Sequence, residues 1–370
     1  MMRAAVLRGK EDLRVEQAPM PVAGPGELVL RVDAALTCGT DLKMYRRGYH
    51  AKMLTVDGLF GHEAAGTIIK TGEGVSEFAV GQRVVPLNSA PCDACFYCEQ
   101  CQQNLCDDLL FNSGAYAEYL RVPERIVRKN TLRIPDSVSA ERAALTEPLA
   151  CVMRGLQESD AQAGQTAIVI GAGPIGLLFV HAAAIEGLHV IAVVKRNDQV
   201  ATALHFGAEQ VVRVGDVDDP VRAARELTPG GRGADLVFEA VATPEAWQWA
   251  AQMVRKGGVA NFFGGPPAGT EVSLDTNLIH YSDLTLKASF HHTPETVRRA
   301  FALLQSDRFK ANGFLTGTAS LQQVPEVFAG MMTRPAEGTR SEIKTVIYPH
   351  RQAAVPDAAV KSTELVGDTR

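Results

Sequence analysis

The sequence predicts an α/β fold in which a β-rich region is followed by a doubly wound parallel sheet. Two features carry this prediction. Up to about residue 150, short segments that alternate apolar and polar residues are broken by Gly and Pro, which is typical of strands in a β-rich domain. From about residue 164, strand patterns alternate with helical patterns, which is typical of a parallel sheet covered by helices. The architecture therefore changes between these two points of the chain.

The predicted elements follow in chain order. The strand-like segments of the first region are 28–37, 64–72, 81–88 and 116–124. The second region contains the strand-like segments 166–170, 189–196, 209–215, 234–241, 258–265 and 283–289, and the helical segments 176–187, 199–208 and 243–254. Helices and short strands continue from residue 293 to about residue 350. Residues 351–370 are rich in Ala and polar residues with little to bury, so we expect a loose tail there.

Length and charge exclude several classes of protein. A chain of 370 residues exceeds one ordinary core of about 100–200 residues, so we expect two domains. The 37 Lys and Arg residues against 42 Asp and Glu residues give a net charge of −5, which argues against a nucleic-acid partner. The N-terminus lacks the apolar core of a signal peptide, and no run of about 18 apolar residues occurs. We expect a cytoplasmic protein with no membrane partner.

The cysteines indicate a metal site. Five of the seven cysteines fall within residues 92–106, a density typical of metal binding rather than of disulfides in a long chain. Four thiolates in one short loop can close a tetrahedral zinc shell, as a structural zinc requires. The predicted ligands are Cys92, Cys95, Cys98 and Cys106. Cys101 offers an alternative register, and a small iron–sulfur cluster is the competing metal group.

A glycine-rich turn predicts a dinucleotide site. Gly171, Gly173 and Gly176 have the spacing G-x-G-x-x-G, with Pro174 and Ile175 between the last two glycines. The turn follows a strand pattern and opens a helix pattern. In that context the first glycine permits a tight turn, the second lets the backbone approach a pyrophosphate, and the third allows close helix–strand packing. The helix N-terminus then binds the phosphates, as in a Rossmann fold.

The end of the next predicted strand favours NADP(H) over NAD(H). An acidic residue there would hold the ribose 2′-hydroxyl of NAD. This chain has Lys195 and Arg196 instead, and no acid until Asp198. Both cations can pair with a 2′-phosphate, which a carboxylate would repel. The alternative is that the two cations belong to a solvated helix start.

A second, dispersed set of residues predicts a catalytic metal. Cys38, His62, Glu63 and Glu147 supply one thiolate, one imidazole and two carboxylates. Such a set leaves one coordination position of zinc for water or substrate. Taken singly, each residue has an ordinary structural interpretation, because an isolated cysteine is usually a small buried hydrophobe.

These motifs together resemble one known family. The stretch Gly-His-Glu-Ala-Ala-Gly at 61–66, with Gly72 and Val75, resembles the zinc signature of the medium-chain alcohol dehydrogenases. Residues 38–41, the four-cysteine lobe, 146–149 and the glycine turn occur in the order found in that family. Glutamate at position 147 resembles the sorbitol and threonine dehydrogenase branch. The resemblance implies a GroES-like catalytic domain made of 1–148 and 291–350, a Rossmann domain of 149–290, and a homodimer or homotetramer.

The resemblance also implies roles for individual residues. Cys38, His62 and Glu147 resemble the catalytic zinc ligands, and Glu63 resembles a carboxylate behind the metal that can become a ligand. Asp41 resembles the acid that orients the zinc histidine, and Thr40 the hydroxyl that receives the proton of the substrate alcohol.

The remaining implied roles concern the proton path, the nicotinamide and the substrate. Lys43 stands where this branch commonly has the histidine that ends the proton relay. His291 stands where sorbitol dehydrogenases have an arginine that contacts the polyol. Phe263, Gly264 and Gly265 resemble the turn beside the nicotinamide. The residues expected to line the substrate cleft are Met44, Tyr45, Phe60 and His291.

The sequence thus predicts a zinc-dependent enzyme that transfers hydride between an alcohol and NAD(P), with NADP favoured. A secondary alcohol of a polyol, sugar or cyclitol is the favoured substrate, and a threonine-type amino alcohol or a simple secondary alcohol is the alternative. Two other classes compete: an NADPH-binding reductase without zinc chemistry, and a zinc-ribbon interaction module.

Overall fold

The computed structural model describes residues 1–49, 57–333 and 342–351. The predicted tail, 351–370, lies outside the described residues except for Arg351. In the first 165 residues the strands are β1 (Met2–Gly9), β2 (Asp12–Ala18), β3 (Leu28–Leu36), β4 (Gly58–Leu59), β5 (Ala64–Thr71), β6 (Arg83–Pro86), β7 (Ser89–Ala90), β8 (Leu110–Phe111), β9 (Tyr119–Val122) and β10 (Thr131–Arg133). The helices there are α1 (Gly39–Arg47), α2 (Phe96–Glu99), α3 (Glu124–Asn130), α4 (Ala140–Ala144) and α5 (Thr146–Glu158).

The strands of the remaining described residues are β11 (Thr166–Ile170), β12 (His189–Val194), β13 (Gln210–Arg213), β14 (Ala234–Glu239), β15 (Val254–Phe262), β16 (Thr285–Ala288), β17 (Leu315–Ser320) and β18 (Lys344–Tyr348). Their helices are α6 (Pro174–Ile185), α7 (Asp198–His205), α8 (Pro220–Glu226), α9 (Pro244–Met253), α10 (Thr276–Tyr281), α11 (Pro294–Gln305) and α12 (Val324–Met332).

The β-rich part is built around β3. Along one sheet the strand order is β10-β6-β5-β3-β18-β17, and β9 also pairs with β3. Strand β18 runs antiparallel to β3, with Val346 opposite Leu36. The last described strands therefore share a sheet with residues from the start of the chain. The exact domain boundaries, 148/149 and 290/291, stay a prediction.

The second sheet has the order β13-β12-β11-β14-β15-β16, and its strands are parallel. The strands after β11 are first added on one side of it, as β12 and β13, and then on its other side, from β14 onward. Ligands of open α/β sheets bind at the carboxyl ends of the strands where the strand order switches sides in this way. Strands β11 and β12 are almost wholly apolar, because helices cover both faces of a doubly wound sheet. The predicted α/β fold with a Rossmann sheet is confirmed.

A continuous apolar core joins this sheet to α5 and α11. Leu149 and Leu156 of α5 and Phe301 of α11 belong to the same cluster as Phe179 of α6. Helix α5 begins at Thr146, so Glu147 lies in its first turn and is held by this packed helix. Among the described helices, none is both long enough and apolar enough to cross a bilayer.

Candidate functional site

The structure brings Cys38, His62 and Glu63 together. Cys38 precedes α1, and its sulfur accepts the backbone N–H of Thr40 at 3.4 Å. His62 and Glu63 lie just before β5, after a turn at Gly61. That turn requires glycine, because φ is +89° and a Cβ would lie 2.7 Å from the ring of Tyr116. One potential ligand atom from each of the three lies within 4.8 Å of the others.

Asp41 orients the histidine. Nδ1 of His62 lies 2.7 Å from Oδ1 of Asp41, and both side chains are buried. The hydroxyl of Tyr116 donates to the other oxygen of Asp41 at 2.6 Å. A carboxylate accepts from Nδ1–H, so in the neutral ring the lone pair lies on Nε2, the nitrogen that a zinc ion would bind. Asp41 therefore occupies the place that the family resemblance implies for it.

A buried lysine faces Glu63. Nζ of Lys344, at the start of β18, donates to the two carboxylate oxygens of Glu63 at 2.9 and 2.6 Å and to the carbonyl of Thr37 at 2.8 Å. Lys344 and Glu63 are 2% and 1% exposed, so each charge depends on the other. Burial raises the pKa of Glu63 to about 7, although Lys344 opposes the shift. Sequence reasoning missed Lys344, and the only local signal was a single cation in an apolar strand.

Glu147 lies outside the group of Cys38, His62 and Glu63, in a second cluster. Potential ligand atoms of Glu147, His291 and His292 lie within 4.8 Å of one another. The side chain of Asn88 donates to Oε1 of Glu147 at 3.1 Å, and Nε2 of His291 lies 2.5 Å from the Ser89 hydroxyl. Burial, assisted by the charge of His62, lowers the pKa of His291 to about 3, so its ring is neutral. No motif in the sequence pointed to Asn88 or Ser89 as site residues.

The four predicted cysteines of the lobe also converge. Potential ligand atoms of Cys92, Cys95, Cys98 and Cys106 lie within 4.8 Å of one another, with the Cys92 and Cys98 sulfurs 4.0 Å apart. A tetrahedral zinc with Zn–S of about 2.3 Å places its sulfurs about 3.8 Å apart. Backbone hydrogen bonds from Asp107 and Cys98 lower the pKa of Cys95 to about 6, which favours the thiolate. Cys101 is exposed and outside this group. The donor set thus fits a structural zinc.

The glycine turn between β11 and α6 has the shape of a phosphate cradle. Gly171 has φ of +101°, and a Cβ on Gly176 would lie 1.9 Å from the carbonyl oxygen of Gly171. A Cβ on Gly173 would meet nothing within 4 Å, so the turn is open on the side where a phosphate would approach. Pro174 and Ile175 begin α6, whose first N–H groups are available to an anion.

The end of β12 is tied to this turn by Gln199. Its Oε1 accepts the backbone N–H groups of Lys195 and Arg196 at 3.2 and 3.0 Å, and its Nε2 donates to the carbonyl of Ala172 at 3.1 Å. Lys195 and Arg196 are exposed, and Arg196 also pairs with Asp198 at 3.1 Å. Both cations therefore lie at the carboxyl end of β12, beside the phosphate cradle.

The turn after β15 contacts the zinc-site helix. Lys43 of α1 donates to the carbonyl of Gly265 at 2.9 Å. The neighbouring Gly264 is required, because a Cβ there would lie 2.5 Å from Oε2 of buried Glu239. Phe263 packs edge-on against Phe179 with ring centroids 4.9 Å apart. The predicted nicotinamide turn thus lies against the helix that begins beside Cys38.

Three predicted cleft residues lie in an apolar core. Met44 and Phe60 are 2% and 0% exposed, within one apolar cluster of the β-rich part. The ring of Phe60 packs edge-on against Tyr116 and Phe328, at centroid distances of 5.7 and 5.2 Å. Tyr45 is 8% exposed and belongs to the same cluster. The structure thus places these residues in the apolar core, and their role in lining the cleft stays a prediction.

The zinc affinity of the catalytic cluster is expected to rise with pH. Burial, reinforced by the charge of Glu63, raises the pKa of the Cys38 thiol, whereas zinc binds the thiolate. Binding must therefore release at least this proton, and the affinity should rise by at least about tenfold per pH unit while that thiol stays protonated in the free state. Chelator competition between about pH 6 and pH 8 measures this slope. An affinity that does not change with pH would contradict it.

Comparisons with known proteins decide the family. The alcohol dehydrogenase GroES-like domain matches residues 24–136, and the zinc-binding dehydrogenase domain matches residues 174–306. The chain belongs to the zinc-dependent medium-chain dehydrogenase family. It is 29% identical over 357 residues to the sorbitol dehydrogenase of Bacillus subtilis, covering 95% of this chain and 98% of that enzyme. It is 30% identical over 321 residues to the L-threonine 3-dehydrogenase of Bacillus velezensis, covering 85% of this chain and 90% of that enzyme.

Solved structures agree with this assignment. A protein of Sinorhizobium meliloti described as a zinc-binding dehydrogenase and solved with NADP superposes with a TM-score of 0.85 at 28% identity, covering 94% of this chain and 99% of that one. The 2R,3R-butanediol dehydrogenase of Bacillus subtilis gives 0.84 at 26% identity, covering 94% and 100%. This dehydrogenase is therefore a zinc-dependent oxidoreductase of the alcohol and polyol type, as the sequence predicted. A zinc-ribbon interaction module is excluded.

Proposed function

We propose that this dehydrogenase transfers hydride between a secondary alcohol of a polyol, sugar or cyclitol and NADP, with Cys38, His62 and Glu147 as ligands of the catalytic zinc. The observation that carries the proposal is the contact between Lys43 and Gly265. It joins the helix that begins beside Cys38 to the turn at the carboxyl end of the nucleotide-binding sheet. An alcohol at the metal would then face a nicotinamide at that turn.

The donor set fits zinc. A thiolate, an imidazole with its lone pair presented and a carboxylate are the ligand types of catalytic zinc sites, which keep a fourth position open. Bound zinc would supply a Lewis acid that lowers the pKa of the substrate alcohol, and a bound nicotinamide would supply the hydride acceptor. The remaining task, removal of the alcohol proton, belongs to the side chains of the chain itself.

Thr40 and Lys43 provide the proton path. Thr40 lies one residue into α1, and its hydroxyl is the group we assign to receive the alcohol proton. Burial and the charge of Arg47 lower the pKa of Lys43, which eases exchange of a proton with solvent at neutral pH. Glu63 remains an alternative metal ligand in this proposal, and its ion pair with Lys344 restrains it from approaching the metal.

A hydroxyl-rich substrate suits the groups beside Glu147. The neutral ring of His291 and the hydroxyl of Ser89 form hydrogen bonds without carrying charge, as recognition of sugar or polyol hydroxyls requires. His291 is held in place with φ of +63°, a conformation that a non-glycine residue seldom adopts, and such strain is concentrated at functional sites. His291 is thus our candidate substrate contact.

An amino alcohol is the second candidate. Glu147 and two neutral imidazoles accept hydrogen bonds, so the same cluster can receive an ammonium group. A screen of polyols, inositols, threonine-type amino alcohols and simple secondary alcohols, run with both cofactors, tests the proposal. Turnover of a polyol or cyclitol supports it, and turnover of amino alcohols alone would replace it with the second candidate.

Replacing Lys195 and Arg196 together by alanine is expected to lower kcat/KM for NADP⁺ by about 10²-fold or more. Each cation would lose a charge-assisted bond to the 2′-phosphate, worth about 1.5–3 kcal/mol. The value for NAD⁺ should change by less than about threefold, because NAD⁺ lacks that phosphate. Arg222→Ala, which removes an exposed cation of α8, is the control. A wild-type preference for NAD⁺ would contradict the assignment.

The proposal includes the assembly and the compartment. Strand β16 is one of the two edge strands of the six-stranded sheet, and edge pairing between two copies would give the expected homodimer, or a homotetramer by a further contact. Light scattering of the purified protein distinguishes these states from a monomer. A four-thiolate zinc lobe needs reduced cysteines, which supports a cytoplasmic location.

A further inference from the structure

The carboxylate of Glu147 is fixed through one of its two oxygens. The side-chain amide of Asn88 donates to Oε1 at 3.1 Å. The thiol of Cys151, one turn further along α5, lies 3.8 Å from the same oxygen. Among the described residues both hydrogen bonds thus fall on Oε1, and Oε2 is the oxygen that they leave for a metal.

The orientation of Asn88 follows from its two neighbours. A carboxylate only accepts hydrogen bonds, so the amide NH₂ of Asn88 must face Glu147 and its Oδ1 must face the other way. Nε2 of His292 lies 2.9 Å from that Oδ1 and is therefore the nitrogen that carries the proton. The hydrogen bonds run in one direction, from His292 to Asn88 to Glu147.

His292 differs from His181, a buried histidine that lies outside the candidate site. Nδ1 of His181 lies 2.9 Å from the carbonyl of Phe206, and its Nε2 accepts the backbone N–H of Lys310 at 2.9 Å, so packing and local bonds explain it. His292 is 2% exposed, and its Nδ1 has no partner among the described residues. An unpaired buried nitrogen is unfavourable. The bond to Asn88 is thus the polar contact that accounts for a histidine at this position.

The three residues come from distant parts of the chain. Asn88 lies between β6 and β7, Glu147 in the first turn of α5, and His292 just before α11. All three are buried, with exposures of 3%, 8% and 2%. Two loops outside α5 therefore help to fix the rotation and the position of the Glu147 carboxylate.

We propose that Asn88 and His292 are positioning residues, which hold Glu147 so that it ligates the catalytic zinc through Oε2 alone. This rests on the proposed assignment of Glu147 as a zinc ligand. With the network intact, one oxygen is engaged by Asn88 and the other is presented to the metal. Without it, the carboxylate is free to turn and to bind through either oxygen or both, which changes the geometry and the affinity of the site.

Two variants of one residue test the proposal. In His292→Gln the side-chain NH₂ can still donate to Asn88, but an amide nitrogen does not ligate zinc. In His292→Leu the donor is lost. The readouts are the visible spectrum of Co²⁺ placed in the catalytic site and the zinc affinity from chelator competition, neither of which needs a substrate. We expect about 10- to 100-fold weaker zinc binding and a shifted Co²⁺ spectrum in His292→Leu, and values near wild type in His292→Gln.

Two outcomes would overturn the proposal. A folded His292→Leu protein with wild-type spectrum and affinity would show that the network does not position Glu147. Equal losses in both variants would mark His292 as a metal ligand instead. If His292→Leu does not fold, Asn88→Asp replaces it, because a carboxylate there repels Glu147 and should weaken zinc binding at least as much. Since no readout involves an alcohol, failure of the proposed substrate class leaves this test unaffected.

Discussion

Replacing Cys38 by alanine is expected to lower kcat/KM for alcohol oxidation by about 10³-fold or more. The variant loses the thiolate ligand of the catalytic cluster, and Lewis-acid stabilisation by a metal is worth several kcal/mol, each 1.4 kcal/mol being about a factor of ten. Zinc content should fall from two ions per chain to one, because the four-cysteine lobe does not involve Cys38. NADP⁺ binding, measured by calorimetry, should change by less than about threefold, since the glycine turn is left intact.

Cys101→Ala is the matched control. This cysteine is exposed and lies outside the group of four sulfurs, so its removal should leave both zinc ions and the activity unchanged. A folded Cys38→Ala protein that holds one zinc ion and oxidises alcohol at the wild-type rate would contradict the assignment of the catalytic metal.

The second large effect is expected from Lys344→Met. At about pH 8, above the pKa of about 7 that Glu63 has beside Lys344, Glu63 would then have to stay an uncompensated buried carboxylate or take up a proton, and breaking a buried pair in this way costs about 3–5 kcal/mol. The free energy of unfolding, from denaturant titration of the zinc-loaded protein, measures the loss. Lys287→Met, which breaks the more exposed pair with Glu158, should cost less than about 1 kcal/mol.

The double variant Lys344→Met with Glu63→Gln separates lost charge pairing from lost packing. Because it removes both charges, it should recover a large part of the stability. A loss below about 1 kcal/mol in Lys344→Met alone would show that Glu63 does not depend on this lysine.

The parts of the fold that the sequence predicted are those with a strong local pattern. Strand β11 is a continuous apolar run before the glycine turn, and its neighbours in the parallel sheet show the same pattern, so periodicity sufficed. The pairing of β18 with β3 joins residues more than 300 positions apart, and no local pattern encodes it. Only the family resemblance implied that the end of the chain returns to the first domain.

At the candidate site, too, local motifs allowed a prediction, whereas contacts between distant parts of the chain did not. The four cysteines of the lobe stand in one short motif, so their spacing proposed them, whereas the roles of Cys38 and His62 came from the family resemblance. Lys344 and Asn88 act through contacts with residues far away in sequence, which spacing cannot show. Phe60 shows another limit of spacing, because it lies two residues before a predicted ligand and yet its ring is packed into the core. Proximity in sequence to a ligand does not fix the direction in which a side chain points.

Isotope transfer tests the central claim most directly. The best alcohol from the substrate screen, carrying deuterium on the carbinol carbon, is incubated with NADP⁺ and the zinc-loaded dehydrogenase. We expect one deuterium on the nicotinamide ring of each NADPH formed, and no transfer above background with Cys38→Ala. Equal transfer by the zinc-loaded wild type and by a folded Cys38→Ala protein would contradict zinc-dependent hydride transfer at this site.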